Sequence, residues 1–298
     1  MKIGLQVSRF SWPGAPAATG ATWRAVARDA DGAGVASLWV MDHFFQIANV
    51  GPPEDDMLEG YTTLAHAAAV TERIELGTLV TGVTYRHPGL LLKTVTTLDV
   101  LSGGRAWLGI GAAWNEEEHR GLGVPFPATR DRFRLLEDTL RLAQRMFADD
   151  DSPFEGDAVG RLERPLNHPQ PVRRPPIMIG GGGEQRTLRL VAQYADACNL
   201  FDLGLGPEGI PHKLDVLRGH CEDVGRPYDE ISKTCLARLT LDTGSTLPDG
   251  VAGHGVDEAV ERLGRLGAAG IDHVIVSMAN TADPEAYTLL AEVVRQVA

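Results

Sequence analysis

The sequence predicts a (β/α)8 barrel, in which eight parallel strands alternate with helices along one chain. Strand-like and helix-like segments alternate through the 298 residues without a break in composition, so we expect a single domain over residues 1–298. The strand-like segments are continuous apolar runs, which is typical of parallel strands covered by helices on both faces. Eight such units in about 250–300 residues favour a closed barrel, with a doubly wound open sheet as the alternative.

The first four units are marked by apolar residues at regular spacing. Phe133, Leu136 and Leu140, for example, recur at the spacing of one helix face. Strands are predicted over residues 3–7, 37–41, 74–81 and 106–110, and helices over 22 to 32 or 34, 61–71, 88–101 and 133–147.

An insertion interrupts the alternation between the fourth helix and the fifth strand, at about residues 149–174. This segment contains several prolines and few apolar repeats, so we expect a lid or rim hairpin outside the barrel.

The alternation resumes after the insertion and ends with a clearly marked helix, for which Asp283 and Pro284 supply the cap and the first-turn proline. The remaining strands are predicted over 177–179, 197–200, 231–241 and 273–277, and the helices over 184–194, 207–224, 256–266 and from 283 onward.

Composition and charge exclude several classes of function. A net charge of −12 argues against nucleic acid or an anionic membrane as the partner. The sequence has no apolar run long enough to span a bilayer and no leader-like N-terminus, so we expect a cytoplasmic protein. Cys198, Cys221 and Cys235 are widely spaced, which indicates reduced thiols, and the histidines lack metal-ligand spacing, so no metal site is expected.

The segment from Pro175 to Leu188 carries the clearest binding motif. A short apolar strand is followed by four glycines, Gly180 to Gly183, and a helix is expected to open near Glu184. Backbone N–H groups at such a turn favour a phosphate, and glycine lets the backbone approach it closely. Neither the dinucleotide-binding glycine spacing nor a P-loop is present. A flexible connection without a ligand is the alternative.

Three other loops follow predicted strands and carry polar groups. Asp42 and His43 follow the second strand, where His43 can act as a general acid or base, or can simply pair with nearby backbone. After the third strand, His87 precedes a proline and is interpreted as a turn residue. Asn115 follows the fourth strand, and we interpret Glu117 and Glu118 as the solvated first turn of a helix.

These loops, in this order, resemble the bacterial luciferase-like monooxygenase family over nearly the whole chain. The family fold is a (β/α)8 barrel with an insertion region, in agreement with the pattern above. The resembling segments are Ser37-Leu-Trp-Val-Met-Asp-His-Phe44, Leu76-Gly-Thr-Leu-Val-Thr81, Leu108-Gly-Ile-Gly-Ala-Ala-Trp-Asn115, Gly180-Gly-Gly-Gly183 and Tyr194-Ala-Asp-Ala-Cys-Asn199.

Within the family, the second and fourth loops look most like the branch that uses the deazaflavin coenzyme F420. The resemblance implies that Asp42 hydrogen-bonds the deazaflavin, that His43 is its proton donor or acceptor, and that the Leu79–Val80 peptide is cis and backs the ring. It implies that backbone N–H groups of the glycine run take the phosphate. The implied cofactor-binding residues are Asp42, His43, Leu79, Val80, Thr81, Gly111, Ala113, Asn115, Gly180, Gly181, Gly182, Gly183 and Glu184.

The resemblance also implies a small organic substrate above the ring, beneath residues 149–174, near Trp12, Phe44, Tyr85 and Trp114. Sugar-phosphate dehydrogenases of the family carry a glutamate proton donor where this chain has Ala112, so that activity is disfavoured. The excess of arginine over lysine is compatible with an actinobacterial source.

Two alternatives remain. The first is an FMN-dependent monooxygenase that uses reduced FMN and oxygen and depends on a separate reductase. The second is a flavin-binding homologue without catalysis. Since members of the family are often dimers, the resemblance also implies a homodimer.

Overall fold

The computed structural model of the chain describes residues 1–202, 209–248 and 250–297. Its first half contains the four predicted strand–helix units, with the third strand divided into two parts and an additional short helix after the fourth strand. In chain order the elements are β1 (Lys2–Val7), α1 (Thr19–Gly32), β2 (Ser37–Val40), α2 (Gly60–Ala68), β3 (Glu75–Thr78), β4 (Thr81–Gly82), α3 (Pro88–Ser102), β5 (Leu108–Gly111), α4 (Glu116–Leu122) and α5 (Thr129–Met146).

The second half begins with the insertion and then resumes the alternation. The insertion forms an antiparallel hairpin, β6 (Phe154–Gly156) and β7 (Gly160–Leu162). The elements after it are β8 (Ile177–Gly180), α6 (Thr187–Tyr194), β9 (Ala197–Phe201), α7 (Gly209–Val224), a 3-10 turn (Tyr228–Glu230), β10 (Ser232–Arg238), β11 (Thr240–Leu241), β12 (Gly253–His254), α8 (Val256–Ala268), β13 (His273–Ser277) and α9 (Pro284–Val297).

The parallel strands close into the predicted (β/α)8 barrel. Their order in the sheet is β3-β2-β1-β13-β10-β9-β8-β5-β4. Because β4 continues β3 after two residues, and a bridge joins Leu76 to Ala106, the two ends of the sheet belong to one barrel strand. The eight barrel strands are therefore β1, β2, β3 with β4, β5, β8, β9, β10 and β13, and the carboxyl ends of all eight point to the same face.

Local sequence explains where the helices of the first half begin and end. The Glu59 side chain accepts hydrogen bonds from the first N–H groups of α2, and His87 does the same for α3, where Pro88 occupies the first turn. Gly103 ends α3 in the left-handed region with φ +71°. His87 therefore caps a helix and does not form a turn, and its role here is structural.

Several predicted elements differ from the structure or lie partly outside its described residues. Helix α6, predicted to open near Glu184, begins at Thr187, because the Glu184 carbonyl accepts a hydrogen bond from His220 Nε2 at 2.7 Å and the residues before Thr187 form a turn. The predicted strand 231–241 is split, since the chain leaves the barrel after Arg238 and β11 pairs with β12. Residues 207–208 of the helix predicted over 207–224, which is α7 in the structure, lie outside the described residues.

The barrel interior beneath the strand ends is a packed core. Trp39 and Trp107 meet edge to face with ring centroids 5.8 Å apart. Gly77 makes room for them, because a Cβ at this position would lie 2.4 Å from Trp39 Cζ3. Leu79, Met178, Ala197 and Ile275 complete this cluster. Since side chains fill the interior, a ligand site must lie above it, at the carboxyl ends of the strands.

A tight contact also joins β3 and β5. A Cβ on Gly109 would lie 2.0 Å from the Thr78 carbonyl oxygen, so only glycine fits here without a shift of the backbone. We expect Gly109→Ala to lower the free energy of unfolding by roughly 2–3 kcal/mol through overpacking. The matched control is Gly264→Ala in α8, where a new Cβ meets nothing within 4 Å. That change should raise stability by about 0.5–1 kcal/mol. Urea unfolding measures both, and equal effects would contradict the packing argument.

A buried histidine at the amino-terminal end of the barrel makes stability depend on pH. Burial lowers the pKa of His273 from 6.5 to about 4, and its Nε2 lies 3.0 Å from Ser37 Oγ. Between these two pKa values the unfolded chain binds a proton that the folded protein does not, so stability falls as the pH falls, by up to about 1.4 kcal/mol per pH unit.

The stability difference between wild type and His273→Gln should therefore shrink as the pH is lowered from about 7 to about 4. Urea unfolding at several pH values measures this difference, in which the other titrating groups cancel. Parallel stability curves for the two proteins would contradict the expectation.

Candidate active site

A cavity of about 500 Å³ opens at the carboxyl-terminal end of the barrel. Each barrel strand, or the residue directly after it, contributes to the wall, through Gln6, Met41, Thr81, Gly111, Gly180, Phe201, Leu236 and Ser277. Enzymes with this fold place their chemistry at this end of the barrel, on the loops that follow the strands. The cavity is therefore the candidate active site.

Most of the residues that the sequence singled out meet in this cavity. Those in its wall are Asp42, His43, Leu79, Val80, Thr81, Tyr85, Gly111, Ala113, Trp114, Gly180 and Gly181. The wall does not include Trp12, Phe44, Asn115, Gly182, Gly183 or Glu184. Trp12 packs in the hydrophobic core against Phe10, with ring centroids 5.3 Å apart. Asn115 caps α4 by accepting a hydrogen bond from the Glu117 N–H.

His43 is held in place by a buried carboxylate. Its Nδ1 lies 2.6 Å from Glu118 Oε1, and the Glu118 side chain is completely buried. The same carboxylate accepts hydrogen bonds from the Tyr85 hydroxyl and from the Phe44 N–H, the latter at 2.7 Å. Trp114 packs edge to face on the imidazole at 5.4 Å. These contacts fix the ring and leave Nε2 without a hydrogen-bond partner among the described residues.

The electrostatics of this cluster favour the ionised form of Glu118. Burial acts to raise the pKa of this carboxyl, but the hydrogen bond and charge of His43, with the bonds from Tyr85 and Phe44, outweigh it. Together they hold the pKa of Glu118 below its usual range. Burial and the neighbouring Glu118 raise the pKa of Tyr85, so its hydroxyl stays protonated and donates.

Asp42 is also buried, and both of its oxygens accept hydrogen bonds from Arg86, at 2.7 and 2.9 Å. Burial raises the pKa of Asp42, while Arg86 acts in the opposite direction. Because the bidentate geometry uses both oxygens as acceptors, the pair is arranged for the ionised carboxylate. Arg86 also contacts Glu59. A hydrogen bond from a deazaflavin to Asp42 stays a prediction, and it would have to share oxygens already bound to Arg86.

The Thr78–Val80 bulge forms one side of the cavity. The Leu79–Val80 peptide bond is cis, as predicted. Glycines of the neighbouring strands receive the bulge, since a Cβ on Gly180 would lie 2.9 Å from Val80 Cγ1 and one on Gly111 would lie 3.1 Å from Val80 Cγ2. Ala113 adopts a left-handed conformation with φ +59°, which is uncommon outside glycine and is frequent at binding sites.

The glycine run after β8 forms a turn at the cavity edge. Gly181 has φ +113°, and its N–H donates to the Asn199 carbonyl at 3.0 Å. The N–H groups of Gly182, Gly183 and Glu184 donate no hydrogen bond within the described part of the chain. The Glu184 side chain turns to Lys213 and His212. The turn therefore keeps three open N–H donors, which is the chemistry that a phosphate requires.

The family is shown by a match that covers most of the sequence. A profile of the luciferase-like monooxygenase family matches residues 1–246. The chain belongs to this family.

Individual proteins are similar to this chain in sequence or in fold. An F420-dependent glucose-6-phosphate dehydrogenase from Kineococcus radiotolerans is 32% identical over 216 residues, 70% of this chain and 60% of that protein. A solved F420-dependent secondary alcohol dehydrogenase in complex with an F420-acetone adduct superposes with a TM-score of 0.81 at 16% identity, covering 100% and 99% of the two chains. A monooxygenase from Streptomyces bottropensis superposes at 0.79, with 19% identity and 98% of each chain covered. The chain spans about six-tenths of the length of the first curated relatives.

Two predictions made from the sequence are wrong, one for Glu118 and one for the insertion. Glu118 is buried and does not belong to a solvated first turn, although Glu117 is exposed as expected. Successive residues of a helix project in different directions, so one of three adjacent glutamates can face the barrel while the others face water. The insertion forms the expected hairpin outside the barrel, but none of its residues lines the cavity, so the placement of a substrate beneath it is wrong. It packs outside the barrel, where Ala158 bonds Asp138 of α5 and Asn167 bonds Thr96 of α3.

Several site residues were not found from the sequence. Arg86, Thr187 and Arg238 belong to this group, together with the role of Glu118. Arg86 carried one usable signal, because an arginine in the loop after the third barrel strand is placed to pair with Asp42, which follows the neighbouring second strand. In the described ranges, no helix is long and apolar enough to cross a membrane, and no group of three His, Cys, Asp or Glu side chains is arranged around a metal position.

Replacing the buried carboxylate should cost stability. Glu118→Gln removes a charged acceptor shared by His43, Tyr85 and Phe44, so we expect a loss of roughly 1–3 kcal/mol in the free energy of unfolding. Glu117→Gln, at an exposed neighbour, should change it by less than about 0.5 kcal/mol.

The effect of Glu118→Gln should also depend on pH. Because the folded pKa of Glu118 lies below 4.5, its contribution is present above about pH 4.5 and is lost as the pH falls through the lowered pKa. Urea unfolding of both variants near pH 7 and near pH 3 checks this. A loss that is the same for the two glutamates would contradict the assignment.

Proposed function

We propose that this chain is a coenzyme F420-dependent oxidoreductase that moves a hydride between the deazaflavin and a small organic substrate. The observation that carries the proposal is the arrangement of His43. Its imidazole lies in the wall of the cavity, a buried Glu118 fixes Nδ1, and Nε2 is open. A group held in this way can exchange a proton with a substrate while the hydride moves.

The residues present fit such a cofactor. The turn of Gly182, Gly183 and Glu184 offers open N–H donors for a phosphate, and the bulge at Leu79–Val80 with Gly111 and Ala113 offers a wall for a flat ring. Bound deazaflavin supplies the two-electron chemistry, as a donor or acceptor of hydride. Relatives whose names specify F420 support this choice of cofactor.

His43 is the proposed proton donor or acceptor, and it has no rival in the described part of the cavity wall. Asp42 is occupied by Arg86, and the Tyr85 hydroxyl donates to Glu118. Arginine does not release its proton in proteins. Ala112, which lines the cavity, carries no titratable group where sugar-phosphate dehydrogenases of the family have glutamate. We therefore do not propose a sugar phosphate as the substrate.

A second candidate is an FMN-dependent monooxygenase, which would take reduced FMN from a separate reductase. The fold similarity to a monooxygenase, close to that found for the alcohol dehydrogenase, supports keeping it. A non-catalytic homologue is less consistent with the buried Glu118, because a costly buried carboxylate that orients His43 serves chemistry rather than cofactor binding. The implied homodimer remains part of this proposal.

The test is a fluorescence titration of the purified protein with coenzyme F420 and, separately, with FMN. We expect micromolar binding of F420 and much weaker binding of FMN. A bulky side chain at Gly182, as in Gly182→Val, should weaken binding, because it obstructs approach to the open N–H groups. Tighter binding of FMN would overturn the cofactor assignment and favour oxygen-uptake assays with a reductase. Binding of neither would overturn both.

The role of His43 has its own prediction. His43→Gln should lower kcat by roughly 10²–10⁴-fold while the affinity for F420 changes little, because general acid–base catalysis contributes this much. Glu118→Gln should lower kcat by a smaller factor, since it acts through the orientation of His43. Single-turnover absorbance of F420 measures the hydride step in each variant. Full activity of His43→Gln would remove His43 from the mechanism.

A further inference from the structure

The cavity wall divides into two arcs of neighbouring strands. We name the first the cofactor arc: it consists of β3 with β4, β5 and β8, which carry the bulge, Ala113 and the glycine turn. The opposite arc consists of β9, β10, β13 and β1, and β2 with His43 at its end lies between the two. No predicted cofactor residue lies on the opposite arc, so this half of the cavity is available for another molecule.

The opposite arc is apolar with a few polar groups. Phe201 and Leu236 supply apolar surface from the ends of β9 and β10. The hydroxyls of Ser8 and Ser277 lie 3.3 Å apart and face the same cavity. Arg238, at the end of β10, is the only cation that this arc contributes among the described residues. Small-molecule sites have this composition, with apolar walls and a few polar groups that fix orientation.

Arg238 differs in its hydrogen bonds from Arg132, the other arginine in the described cavity wall, and from Arg86 behind Asp42. Arg86 is bound by two carboxylates, and Arg132 donates to Ala112 O, Pro127 O and Thr129 Oγ1. Arg238 makes one hydrogen bond, from Nη2 to the Asn49 carbonyl at 2.8 Å. No carboxylate in the described residues lies within 4.0 Å of it. Most of its five N–H donors thus remain open toward a ligand.

We propose that the opposite arc is the substrate subsite and that Arg238 selects a small organic anion, a carboxylate or a phosphate ester with an apolar body. This inference rests on the proposed function, because it assigns the cofactor arc to the deazaflavin. An open guanidinium fork matches the two oxygens of such an anion. Phe201 and Leu236 contact the apolar body. A local cation is needed for this, because the protein's net charge of −12 disfavours anions elsewhere on its surface.

The test uses three probes of similar size: hexanoate, pentyl phosphate and the neutral hexanamide. Calorimetric titration of the wild-type protein, with and without bound F420, should show that at least one anion binds roughly tenfold tighter than hexanamide. In Arg238→Gln this preference should fall to less than about twofold, while F420 affinity is retained. Arg28→Gln, at an exposed position of α1, is the control with the same change in charge and should keep the preference.

The outcomes separate this inference from the proposed function. Equal binding of anions and amide to the wild type, or a preference that survives in Arg238→Gln, would overturn the subsite. A failure of F420 to bind would overturn the proposed function, while the titrations without F420 still measure the role of Arg238. Arg238→Lys keeps the charge but loses the planar fork, so its preference should fall between those of the wild type and Arg238→Gln. The anion that binds more tightly identifies the substrate class.

Discussion

The carboxylate of Glu118 joins three separate parts of the chain at the cavity. It binds the loop after β2 through His43 and Phe44, and the loop after β4 through Tyr85, while it belongs to α4 itself. A buried charge is costly unless its neighbours donate to it. The loops must therefore keep their relative positions for the charge to be tolerated. The orientation of His43 is a consequence of this requirement.

A second constraint acts through the backbone. The bulge at Thr78–Val80 occupies space that side chains of the adjacent strands would otherwise take. Glycines at positions 109, 111 and 180 leave that space free. These glycines do not clear space for a ligand directly. They allow the bulge to press against β5 and β8, and the bulge then presents Leu79 and Val80 to the cavity. The flat wall that we assign to the cofactor ring is built by close packing beneath it.

Sequence patterns predicted the barrel, and most of the candidate residues they singled out lie at the cavity, since strand periodicity and loop position determine which side chains meet at the carboxyl-terminal face. They could not predict Glu118, because a run of three glutamates does not reveal which one faces inward. Trp12 was misplaced for a related reason: an aromatic residue near a strand end fits the core as well as a cavity. No sequence pattern indicated Arg238. Its proposed role depends on the absence of a carboxylate partner among the described residues, and only the folded structure shows this absence.

Ala112 lines the cavity with only a methyl group, where the resemblance implies a glutamate in sugar-phosphate dehydrogenases of the family, and this changes what the remaining groups must do. With a methyl group there, Asp42 is the one carboxylic acid in the described cavity wall. Both of its oxygens accept hydrogen bonds from Arg86, so neither is open to a substrate. Proton exchange in the proposed reaction then depends on His43 alone, and so on the buried charge behind it. Glu118 cannot take over the missing role, since its oxygens already accept from three groups. In this chain it positions the proton carrier and does not act as one.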